Sequence, residues 1–129
     1  MLWINRRTKL RVVDNSALGK RAMLAGKPPY CIHVYKRGRQ MSKACRGLLG
    51  DKILVACLGE MKKAYIVGYK THKTDTQAMV PRTDSNNIVL LDDSGNPLGT
   101  RILAPIPGSL RGHKSSDMSK IIAIATKFI

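Results

Sequence analysis

Apolar residues in this chain fall in short runs punctuated by clusters of Gly, Pro, Asn, Asp and Ser, the pattern of short strands joined by turns. The clearest instance is residues 86–107, NNIVLLDDSGNPLGTRILAPIP. Ile88 to Leu91 suit a buried strand, and residues 92–97 (DDSGNP) all favour a turn. Residues 98–103 then resume an extended apolar segment, which Pro105 and Pro107 stop. The expectation is a strand, a tight return and a second strand, with Thr100 and Arg101 at a strand end. Two such strands need a larger sheet to be stable.

The remaining pattern supplies one. Residues 10–13 (LRVV) read as a strand ended by Asp14, Asn15 and Ser16, whose side chains can bond their own backbone in a turn. Residues 17–29 (ALGKRAMLAGKPP) show no clean period and read as a basic loop. Residues 30–35 (YCIHVY) alternate as a strand, with Cys31, His33 and Tyr35 on one face and Ile32 and Val34 on the other. Residues 36–50 read as a mobile basic loop, and residues 51–58 (DKILVACL) as a strand buried on both faces or lining a small barrel. Residues 59–63 (GEMKK) read as a turn with a basic exit. Residues 64–69 (AYIVGY) form the next strand, with Gly68 marking a bulge or bend. Residues 70–83 are loop-like. Residues 108–111 look like one helical turn. Ser115, Ser116 and Asp117 offer N-cap oxygens to a final helix whose Met118, Ile121, Ile122 and Ala125 make one apolar stripe, although residues 121–125 also suit a strand. Six strand-like segments with helix confined to the tail predict a mainly β fold, a small β-barrel forming one domain over residues 1–129.

Charge changes the picture most. Against 8 acidic residues stand 23 Lys and Arg, a net +15 with a pI near 10.3. Such a chain repels itself unless a polyanion neutralises it, and nucleic acid is the usual one. Twelve basic residues and one acid, Asp14, lie in residues 1–50, so the positive field is weighted to the first half. The candidate RNA contacts are Arg6, Arg7, Lys9 and Arg11 at the start, and Lys20 and Arg21 in the first loop. Lys36, Arg37, Arg39, Lys43 and Arg46 follow in the long basic segment, which should order when phosphates neutralise it. Lys62, Lys63, Lys70, Lys73 and Arg82 complete the set.

Other chemistry is sparse. Cys31, Cys45 and Cys57 lack clustered ligand spacing, so buried thiols in a reducing compartment are the reading rather than a metal site. No phosphate loop or nucleophile elbow occurs, and the paired acids Asp92 and Asp93 sit in a turn. His33 has no candidate acid, base or nucleophile beside it. The 6 aromatic residues are too scattered for a single-strand stacking platform. No apolar run is long enough to span a membrane. Residues 1–10 are too short and basic for a complete secretory signal; they read equally as the tail of an organelle presequence or as a basic arm on the first strand. The chain therefore reads as a binder of folded RNA or duplex backbone, not as an enzyme, and no cofactor is implied.

Specific residues carry a resemblance. Residues 11–17 (RVVDNSA), 86–91 (NNIVLL) and 95–102 (GNPLGTRI) resemble large-subunit ribosomal protein fourteen. Residues 105–107 (PIP), 109–111 (SLR) and 119–125 (SKIIAIA) resemble its C-terminal part. The likeness runs in register from about Lys9 to the end, and residues 31–36 (CIHVYK) bring it closest to the mitochondrial form from animals. Three departures stand out: a hairpin cut to residues 59–63, altered basic sequence at 17–29 and 36–50, and Thr83 where the family commonly has an aromatic.

The resemblance implies a five-stranded barrel with short C-terminal helices, residues 1–9 forming a basic arm and residues 108–129 the helical part. It implies a mitochondrial matrix location in the large ribosomal subunit. The implied partners are large-subunit rRNA, neighbouring large-subunit proteins and small-subunit rRNA through an intersubunit bridge, with no membrane partner. It further implies docking of a ribosome-silencing factor on Thr100, Arg101 and Lys120, with Arg111 and Lys114 on the same intersubunit face. Charge alone would also allow a free-standing RNA-binding barrel acting in translation or RNA processing. Migration with the large subunit through a sucrose gradient separates the two.

Overall fold

The computed structural model describes residues 7–35, 50–68, 85–106, 110 and 116–128. Five strands and two helices follow in chain order: β1 (Arg11–Val12), α1 (Ala17–Leu24), β2 (Tyr30–Tyr35), β3 (Lys52–Cys57), β4 (Glu60–Gly68), β5 (Asn87–Leu91) and α2 (Ser116–Ile124). They form one sheet in the order β1-β5-β4-β3-β2, antiparallel except for the parallel β1–β5 pair. The residues just before β1 lace its two edges together. Arg7 N–H donates to the Cys31 carbonyl (2.7 Å), Cys31 N–H to that of Thr8 (3.0 Å), and Leu10 N–H to that of Pro29 (2.8 Å). The sheet is therefore barrel-like, mainly β and five-stranded, but among the described residues its edges are joined by these bonds and the isolated Lys9–Tyr30 bridge rather than by a continuous ladder.

Alternation along β4 and β5 builds two cores. Ala64, Ile66, Ile88 and Leu90 point inward and meet Val34, Ile53 and Val55 inside the sheet. Tyr65, Val67, Val89 and Leu91 point outward and are covered by Ile102, Ile106, Met118 and Ile121. Double burial explains the unbroken apolar runs of these two strands. Residues 51–58, by contrast, line the interior on one face only: Ile53, Val55 and Cys57 are fully buried, while Lys52, Leu54 and Ala56 are half-buried.

Four segments differ from the sequence expectation. Residues 17–24 are helix α1, not loop. Ser16 Oγ accepts from Gly19 N–H (3.3 Å) as an N-cap, and Leu18 and Ala22, four residues apart, are buried. Gly19 is required where the helix meets β1, because a Cβ there would stand 2.5 Å from Val12 Cγ1. Packing, not propensity, makes this helix. At the hairpin, Glu60 to Lys63 belong to β4 and only Leu58 and Gly59 turn; their φ values of 50° and 81° are those of a two-residue type I′ turn.

In β2 a register shift between Cys31 and His33 breaks the expected alternation, so Cys31 and Val34 both face inward. Residues 98–103 do not form a strand. The return is present, with Asp92 N–H donating to Asn96 O (2.9 Å) and Leu98 N–H to Leu90 O (3.0 Å). The chain then leaves β5 and makes isolated bridges from Ile102 to Asp14 and Ala125. The bulge expected at Gly68 is present as a register shift between Ile66 and Gly68. Helix α2 runs to Ile124 with Met118 and Ile121 fully buried, so residues 121–124 are helical and only Ala125 makes a bridge. Residues 36–49 and 69–84, Ser115 and the turn expected at 108–111, apart from Leu110, lie outside the described residues.

Candidate nucleic-acid interface and the junction behind it

Three short polar residues, Asp14, Asn15 and Ser16, join four parts of the fold. Asp14 is 4% exposed. Its Oδ1 accepts from Ser16 Oγ (2.8 Å) and Ser16 N–H (3.4 Å), and its Oδ2 from Leu90 N–H in β5 (3.2 Å). Burial pushes the Asp14 carboxyl above its usual value, more than the hydrogen bonds from Ser16 and Leu90 pull it down. Asn15 Oδ1 accepts from the Thr100 (2.7 Å) and Arg101 (3.1 Å) N–H groups, and Asn15 Nδ2 donates to Thr100 Oγ1 (2.9 Å). Gly99 permits this approach, since a Cβ there would lie 2.7 Å from Asn15 Oδ1.

Thr100 and Arg101 are exposed, held by Asn15 in an irregular link rather than at a strand end. Lys120 is exposed on α2, off the buried stripe as expected, and its Nζ donates to Asn96 Oδ1 (2.8 Å). Asn96 belongs to a turn organised by the Asp92 carboxylate, which accepts from Ser94 Oγ (2.8 Å) and Asn96 N–H (2.8 Å). The Ser94 hydroxyl, then the Asn96 N–H, hold the Asp92 carboxyl below its usual range. Ile102 N–H donates to Ile124 O (3.1 Å), which brings the end of α2 alongside the same link. Thr100, Arg101 and Lys120 thus share one scaffold. Sequence reasoning missed Asn15 and Asn96 as the residues that position them. Arg111 and Lys114 lie outside the described residues.

Of the basic candidates, Arg7, Lys9, Arg11, Lys20, Arg21 and Lys63 are exposed and Lys62 is half-buried. Arg6, Lys36, Arg37, Arg39, Lys43, Arg46, Lys70, Lys73 and Arg82 lie outside the described residues. Pairing across the sheet reveals an outward face the sequence did not show. One row is Tyr30, Ala56 and Met61; the next is His33, Leu54 and Lys63. A third begins with Tyr35 and Lys52 and ends at Tyr65, which the second core covers. Beside the first row is an open groove of about 400 Å³ lined by Lys27, Tyr30, Ile32, Ala56, Leu58 and Met61 among others. The bulge in β2 creates this alignment by turning Tyr30, His33 and Tyr35 outward together. The aromatics are therefore not all scattered.

Cys31 and Cys57 are buried free thiols, and burial, with Glu60 nearby, pushes the Cys57 thiol up. Cys45 lies outside the described residues. Among the described residues no cluster of three His, Cys, Asp or Glu could hold a metal, and no helix is long and apolar enough to cross a membrane.

The family described as ribosomal protein L14p/L23e matches this chain over residues 3–129. The chain is 46% identical over 126 residues to the large ribosomal subunit protein uL14m of Danio rerio, covering 98% of this chain and 81% of that protein. By both the family match and this identity, the chain belongs to the ribosomal protein L14p/L23e family.

Proposed function

We propose that this chain is a structural protein of the mitochondrial large ribosomal subunit that binds large-subunit rRNA and contacts neighbouring ribosomal proteins. The observation that carries the reading is 46% identity, over nearly the whole chain, to the large ribosomal subunit protein uL14m of Danio rerio, a mitochondrial-type protein. The net charge of +15 supports it, because subunit rRNA is the polyanion such a surface requires. The test is a sucrose gradient of mitochondrial lysate: stable, stoichiometric migration with the large subunit through moderate salt is expected. Migration as a free protein would favour an independent RNA-binding factor instead.

RNA affinity is carried mainly by the cations of residues 1–50. If about five phosphates are neutralised, log K for the purified protein and large-subunit rRNA falls against log salt with a slope of roughly −3.5 to −4.5. Affinity that ignored salt between low and physiological concentrations would overturn this.

The exposed trio Thr100, Arg101 and Lys120 is the proposed docking site for a ribosome-silencing factor on the face that meets the small subunit. A hydroxyl, a planar guanidinium and a mobile ammonium suit an acidic protein patch. Exposure of all three on a shared scaffold supports this reading. Together Arg101→Ala and Lys120→Glu should weaken factor binding by about 2–5 kcal/mol while the protein still folds and enters the subunit. Unchanged factor affinity in an assembled double variant would remove the assignment.

A further inference from the structure

We propose that the outward face of β2, β3 and β4 grips unpaired rRNA bases, with Tyr30 and Tyr35 as stacking rings and Lys27 and Lys63 at the adjacent phosphates. The proposal deepens the rRNA-binding reading above and rests on it. Tyr30 is 46% exposed and Tyr35 41%, so both rings present surface to a ligand without repacking of the core. Tyr30, His33 and Tyr35 occupy successive rows along one strand, two row-steps or about 13 Å from end to end. That length suits two or three splayed bases, the number that sheet-borne aromatics typically take. His33 and Tyr35 meet edge to face, with ring centroids 5.2 Å apart and planes at 85°, which fixes the Tyr35 ring before any ligand arrives.

The groove beside Tyr30 has room for a flat ring, with Ile32, Ala56 and Met61 as apolar walls and the exposed Lys27 in its lining. Met61, 67% exposed, is a polarizable wall suited to an aromatic partner. Charge decides between an RNA and a protein occupant. The outward rows hold Lys52 and Lys63 and no carboxylate, as expected for a polyanion. The rings decide between unpaired and paired RNA: bases inside a duplex are already stacked and closed to a tyrosine, whereas each unpaired base offers a free π-face.

The experiment compares binding of the full-length protein to a short single-stranded oligouridylate and to an RNA duplex of equal length. Changing both Tyr30→Ala and Tyr35→Ala should weaken the single strand by about 30-fold or more and leave duplex affinity essentially unchanged. The Tyr30→Phe, Tyr35→Phe pair should bind both RNAs like the native protein. Equal losses on both RNAs, or no loss on the single strand, would overturn the proposal. Ultraviolet cross-linking of oligouridylate to the native protein needs no variant: adducts at Tyr30 or Tyr35 are expected, and adducts only elsewhere would overturn it. Failure of the native protein to bind either RNA would strike the rRNA-binding reading as well. Salt-dependent binding indifferent to the two tyrosines would strike this proposal alone.

Discussion

Replacing Asp14 with alanine should lower stability by about 2–4 kcal/mol at neutral pH, or roughly 10 °C in Tm. The substitution strands the buried Leu90 N–H and removes the acceptor that orients Ser16, the N-cap of α1. An unsatisfied buried donor loses its full hydration, which outweighs any relief from removing a buried charge. Asp14→Asn recovers only part of the loss, because its amide offers one acceptor where two oxygens are used, and its NH₂ group cannot accept from Leu90.

The penalty also depends on pH, with a definite sign. Burial raises the folded carboxyl above its ordinary value of 3.8. From that value up to the folded pKa, the native protein holds a proton that the unfolded chain has released. The stability this group contributes is fully present below 3.8 and is lost as pH rises through the folded pKa. The gap between the native protein and Asp14→Ala should therefore widen on mild acidification. Chemical denaturation of both at neutral and mildly acidic pH measures it, and a gap that narrowed with acid would contradict the raised pKa.

Ile121→Ala should be comparably damaging, about 2–5 kcal/mol. Ile121 is fully buried in the second core, where α2 and the Ile102 link cover the outward face of β4 and β5. Truncation leaves a cavity that the surrounding Met118, Leu91 and Ile106 can close only in part. The loss should reach the proposed docking face too, because α2 carries the Lys120 bond to Asn96. The salt slope of RNA binding should stay unchanged, since the second core contains none of the described cations of the first half. Ala123→Ser, exposed on the same helix, is the control and should fall within about 0.5 kcal/mol of native. A loss below about 1 kcal/mol for Ile121→Ala would mean that the second core does not anchor α2.

Much of this protein is legible from short-range signals. Residues 88–91 and 64–69 read as strands because β-branched, leucine and aromatic side chains suit a sheet, and the described residues of both are strands, while their burial on both faces was not anticipated. The Asp92 turn follows from side chains that bond their own neighbours two and four residues on. The stripe of Met118, Ile121, Ile122 and Ala125 pointed to the final helix, which ends one residue short of Ala125, and Gly68 pointed to a bulge. Family membership was legible too, because RVVDNSA and GNPLGTRI are specific strings.

What escaped has a common physical cause: partners distant along the chain. Helix α1 has only Leu18 and Ala22 as buried anchors and a glycine in its body, so its local pattern is weak; contact with Val12 and the Ser16 cap create it. Residues 98–103 look like a strand in isolation, yet Asn15, some 85 residues away, takes the Thr100 and Arg101 N–H groups before a sheet can. The β2 bulge is invisible to a period of two, and it alone puts Tyr30, His33 and Tyr35 on one face. Composition and local pattern alone carry the family, the strand-rich class and the strong positive charge of this chain. Which polar side chains become buried joints and which rings face outward is settled by folding, because hydrogen-bond partners and sheet register are set by segments that meet only in the folded chain.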